Sequence, residues 1–110
     1  MKFYRNLYVG SSVKNVNKVK WKLLTGAGQF GIYVISISHT SDQLDIFHCA
    51  MLKQKSFDKK SLAVAGIAGD MGEAYGLVEK MVQDALAAGF EGNVKAYLTE
   101  TFHSGKGGGG

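Results

Sequence analysis

The segment from Leu62 to Gly89 constrains the fold more than any other part of this chain. A short apolar run, Leu62-Ala63-Val64-Ala65-Gly66-Ile67-Ala68, meets a glycine-punctuated turn and then a periodic stretch that closes at Gly89. A run of that length fits a buried strand. Beyond it, Ala74, Val78, Met81, Val82 and Ala85 share one helical face, widened by Leu77 and Leu86. Glu73, Lys80, Gln83 and Asp84 lie opposite, which is the pattern of a core-facing helix. Asp70 with Glu73 three residues later resembles a capping box, and Gly89 supplies a left-handed stop. The segment is one strand–turn–helix unit.

The same turn raises a question of chemistry. Gly66-Ile67-Ala68-Gly69-Asp70-Met71-Gly72 sits where a phosphate cradle sits, between a strand and a helix. Its spacing is G-x-x-G-x-x-G rather than the dinucleotide G-x-G-x-x-G, and it lacks the Lys-Ser/Thr pair of a P-loop. Asp70 at the cap opposes an anion at the helix N-terminus. A structural turn is the favoured reading. Gly72 and Gly76 stand four apart on the polar side of the helix, where each costs about 1 kcal/mol relative to Ala. They mark a candidate interface for a second copy, against the simpler reading of a helix held by its buried face.

Elsewhere the pattern is less decisive. Leu7-Tyr8-Val9 reads as a first strand ended by Gly10-Ser11-Ser12. Lys18 to Leu23 alternates like a strand, yet Val13, Val16, Val19, Leu23 and Leu24 fall on one helical arc. Ser12 as N-cap and Thr25-Gly26 as stop favour the helix. Phe30 to Ser38 is a strand with apolar residues on both faces, expected inside the sheet. His39-Thr40-Ser41-Asp42 is turn chemistry, and Gln43 to Leu52 reads as the returning strand of a hairpin. After the long helix, Glu91-Gly92-Asn93 turns the chain into a last strand, Val94 to Thr99. The expected order is β-α-β-β-β-α-β. The expected fold is α+β: a single mixed, mostly antiparallel sheet with two helices packed on one face.

The 110 residues suffice for one domain, expected over 1–102, with 103–110 as a flexible Gly-rich tail. No apolar run has the length of a bilayer span, and the N-terminus lacks a signal-peptide pattern. A single cysteine, Cys49, fits a reducing compartment, so the expected location is the cytoplasm, with no membrane partner.

Charge gives the functional lead. Residues 1–60 hold ten of the 13 Lys and Arg but only three of the nine Asp and Glu. Lys18, Lys20 and Lys22 flank Trp21, and Lys53, Lys55, Lys59 and Lys60 flank Phe57. Basic groups beside aromatics suit a phosphate backbone with stacked bases, in the non-specific manner of lysine. The alternative is a solvated lysine surface. His48 and Cys49 invite a catalytic or metal reading. Adjacent strand residues point to opposite faces, however, and no activating signature surrounds the thiol. No catalytic residue, metal or cofactor is therefore assigned.

Tyr33-Val34-Ile35-Ser36-Ile37, Leu44-Asp45-Ile46, Leu52-Lys53-Gln54-Lys55 and Gly66-Ile67-Ala68-Gly69 with Glu73-Ala74 and Leu77-Val78 resemble a group of small bacterial proteins of unknown function. The resemblance spans most of residues 7–99 and implies a common fold. Its shared positions are mainly apolar or glycine, so it carries over no active site. The leading expectation is a non-enzymatic binding domain with a basic surface for nucleic acid or another polyanion. The alternatives are a small enzyme using Cys49 or His48 and a homodimerising module.

Overall fold

A computed structural model of the chain describes residues 1–26, 31–38, 43–54 and 58–103. Its elements run β1 (Lys2–Val9), α1 (Val16–Thr25), β2 (Tyr33–Ile37), β3 (Leu44–His48), a 3-10 turn (Cys49–Lys53), β4 (Ala63–Ala68), α2 (Met71–Ala87) and α3 (Val94–Thr101). The four strands form one mixed sheet in the order β1-β4-β2-β3. β1 and β4 are parallel, while β2 pairs antiparallel with both β4 and β3. The fold is α+β, and the hairpin and the interior place of β2 agree with the sequence.

The opening segment folds as its pattern dictates. Val64, Ala65, Ile67 and Ala68 of β4 are fully buried, as expected of an interior strand. The Asp70 side chain caps α2 by accepting from the Glu73 N–H at 2.7 Å. Ala74, Met81 and Ala85 are the fully buried residues of that helix, and Gly89 follows it in the left-handed region at φ 88°. Residues 13–24 yield α1, but its cap is Asn15, whose side chain accepts from the Lys18 N–H at 3.2 Å, rather than Ser12. Gly26 ends it at φ 77°.

Three expectations are corrected. The helices do not share one face of the sheet. Leu23 of α1 packs with Val34, Val64 and Ile67, whereas Ala74 and Met81 of α2 and Leu98 of α3 pack with Ile35, Ala65 and Ala68. Neighbouring residues of β2 and β4 are apolar on opposite sides, so both faces need a cover. Second, Val94–Thr99 is not a strand. Asn93 caps α3 by accepting from the Ala96 N–H at 3.2 Å, and Val94, Tyr97 and Leu98 turn a helical stripe to the core. Leu98 is fully buried there, with Phe102 beside it. Third, the returning strand stops at His48. Its ring accepts from the Ala50 N–H at 3.0 Å and starts the 3-10 turn in place of further ladder pairing.

Candidate functional site

A densely bonded polar cluster joins the loop after β1 to the start of α2. β1 and β4 run parallel, so their carboxyl ends lie side by side. The Glu73 carboxylate sits between them. It accepts from the Gly69 N–H at 2.6 Å, the Ser12 N–H at 3.0 Å, the Ser12 hydroxyl at 2.7 Å and the Ser11 hydroxyl at 3.4 Å. The backbone N–H of Gly69 and the hydrogen bonds from Ser12 hold its carboxyl below the usual glutamate range. A Cβ at Gly10 would overlap this carboxylate, and one at Gly69 would overlap the Ser12 hydroxyl. Both glycines therefore serve the lock. The place suggested by G-x-x-G-x-x-G for a phosphate is filled by the chain's own carboxylate.

A second lock lies on the α2 side of β1. The Tyr8 hydroxyl donates to Asp84 Oδ2 at 2.5 Å, and Lys80 reaches Oδ1 at 3.3 Å. Burial, together with the bond to Asp84, raises the Tyr8 pKa well above the tyrosine range. The same bond holds Asp84 below the ordinary aspartate range. Tyr4 stacks on Tyr8 at 5.9 Å and shares a hydrogen bond with Thr101 of α3 at 2.6 Å. Every polar group in this cluster is matched to a partner within the fold, which is the behaviour of a brace.

The lysines divide. Lys22 and Lys53, from separate stretches of sequence, line one small cleft with Gly26 and Cys49 between the C-terminal end of α1 and the 3-10 turn. Lys59 joins them, donating to the Leu24 carbonyl at 3.0 Å, where the last turn of α1 lacks intrahelical partners. Trp21 stands 59% exposed on the outer side of α1, next to Lys22 and one turn from the exposed Lys18. Lys20 turns the other way, its ammonium 5.1 Å from the centre of the Phe3 ring on β1. Lys60 parts from Lys59 and lines a separate cleft with Lys2, Lys95 and His103. Lys55 and Phe57 lie outside the described residues, as do His39, Ser41, Asp42 and the tail from 104.

The cleft at Lys22 and Lys53 measures only about 50 Å³, so it is a crevice in a surface and not an enclosed ligand pocket. Cys49 is buried on its wall. The thiol lies 3.9 Å from His48 Nδ1, closer than a regular strand would allow, because the 3-10 turn begins between them. That nitrogen already accepts from the Ala50 N–H, which occupies the lone pair a general base would use. Among the described residues, no three His, Cys, Asp or Glu side chains gather as metal ligands.

Gly72 and Gly76 lie on the exposed side of α2. An added Cβ at Gly76 would meet nothing within 4 Å among the described residues, and the neighbouring Tyr75 is 61% exposed. No helix among the described residues is long and apolar enough to cross a membrane. Sequence reasoning missed Lys2, Lys95 and His103, and also the pairings of Glu73 with Ser12 and of Tyr8 with Asp84. Each joins segments far apart in the chain, and no local spacing marks them. The chain matches no protein-family model, no curated protein and no solved structure.

Proposed function

We propose that this chain is a non-enzymatic binding domain whose anionic partner docks on the basic surface at the C-terminal end of α1. One observation carries the reading: Lys22 and Lys53, remote in sequence, line the same crevice, with Lys59 at the adjoining helix end. Trp21 lies open on the same helix and offers a stacking face. A shallow basic surface with one exposed aromatic suits an extended polyanion better than an enclosed small molecule. Single-stranded nucleic acid is the partner it fits best. Lys18 and Lys22 would follow the phosphates on α1, and Lys53 would meet them from the 3-10 turn. Lys20, engaged with Phe3, has no part in it.

Titration with labelled single- and double-stranded oligonucleotides tests the proposal. Binding that favours the single strand and weakens steeply with salt is expected. The single buried cysteine supports a reducing, cytoplasmic setting for this activity as part of the same proposal. The resemblance to the small bacterial group belongs to the same proposal and bears on fold alone.

Self-association is a second reading, favoured by the open space beside Gly76 and by Tyr75 and Met71 exposed along the same face. Light scattering across a hundredfold concentration range tests it. A monomer throughout rules it out.

A further inference from the structure

The cleft that takes Lys60 is a different object from the crevice at α1. It measures about 680 Å³, within the size range of small-molecule sites. It opens where β1 and β4 begin and where β2 ends, alongside α3 from Lys95 in its first turn to Phe102 at its end. Its floor includes Ile37 and Phe102, both buried side chains of the core. Its rim carries Lys2, Lys60, Lys95 and His103, and among the described residues no carboxylate lines it.

Rigid elements hold these groups. The Lys2 N–H donates to the Leu62 carbonyl at 2.8 Å, and the Arg5 N–H donates to the Phe102 carbonyl at 3.0 Å. Phe102 is further wedged edge-on against Tyr4, with ring centres 5.7 Å apart.

We propose that this cleft binds a small amphipathic carboxylate, with its apolar body on Ile37 and Phe102 and its carboxylate among the rim cations. An apolar floor under a one-signed rim selects a ligand divided in the same way. The single negative charge follows from the apolar floor of Ile37 and Phe102. Beside that floor a multiply charged group would lose more hydration than a carboxylate does. The inference stands independently of the oligonucleotide surface on α1.

An amide NMR titration of the isotope-labelled chain with octanoate tests it, with octanol and inorganic phosphate as separate arms. Octanoate is expected to give saturable shifts at Ala63, Lys95, Phe102 and His103, with octanol and phosphate at least tenfold weaker. Lys60→Glu with Lys95→Glu should weaken octanoate at least tenfold and leave octanol unchanged. Thr99→Trp, at an exposed position lining the cleft, should abolish octanoate binding while the rest of the amide spectrum persists. Absence of saturable shifts at these amides overturns the proposal. So does octanol binding as tightly as octanoate, which marks a merely apolar crevice, or phosphate doing so, which marks a merely cationic one.

Discussion

The hydroxyl of Ser12 donates to Oε1 of Glu73 at 2.7 Å, fastening the loop after β1 to the first turn of α2. The carboxylate does what a bound anion does at other strand–helix turns: it satisfies the backbone N–H groups that gather there. Glu73→Ala should lower the thermal midpoint and leave the fold intact. Glu73→Gln should recover part of the loss, because an amide oxygen still accepts from the Gly69 N–H. Thermal unfolding followed by circular dichroism checks both, and an unchanged midpoint for Glu73→Ala would deny the lock its role.

Acid should weaken the fold through Glu73 and Asp84. Hydrogen bonds hold both carboxyls below their ordinary values of 4.5 and 3.8. Below those values the unfolded chain binds protons that the folded chain resists. The stabilisation is therefore complete above the ordinary values and is lost as pH falls through the lowered ones. Urea midpoints measured from about pH 6 down to about pH 3 should fall for the wild type. They should fall less steeply for Asp84→Asn.

Tyr8→Phe should cost about 1.5–3 kcal/mol, the range for a hydrogen bond to a charged group. It leaves Asp84 with Lys80 alone. Equilibrium urea denaturation measures the loss, and a cost near zero would show that Asp84 bonds equally well to water.

Gly76→Ala should stabilise the chain by about 0.5–1 kcal/mol, because the position is helical and open. Destabilisation instead, especially if it grows with protein concentration, would show that a second copy occupies that face.

Much of this architecture can be read from local pattern. Asp70, Glu73 and Gly89 bracket α2 because capping chemistry acts within one turn, and β2 announces its interior place by apolar residues on both faces. That same observation already implied a cover for each face, yet placing α1 opposite α2 required the tertiary structure. Val94 to Thr99 satisfies both periods, since Val94, Ala96 and Leu98 alternate while Val94, Tyr97 and Leu98 follow a helix. Asn93 as a cap and the burial of Phe102 settle it as α3. Lysine clustering was legible as charge. Its division into Lys22, Lys53 and Lys59 on one side, Lys20 on Phe3, and Lys60 beside Lys95 depends on side-chain directions that sequence spacing does not encode.

Leu98→Ala should cost about 2–4 kcal/mol if α3 closes the core as described, against the small effect expected of a half-exposed edge-strand residue. Chemical denaturation measures it.

The basic surface is tested most directly by the fluorescence of Trp21, the only tryptophan in the chain. Titration with a single-stranded oligonucleotide should quench it. With three lysines engaged and a slope of about −0.7 per phosphate contact, raising salt from about 50 to 200 mM should weaken binding roughly tenfold to twentyfold. Lys22→Glu with Lys53→Glu should weaken it at least tenfold at low salt. An unquenched Trp21 with no binding at low salt, or binding indifferent to salt and to both substitutions, would contradict the account.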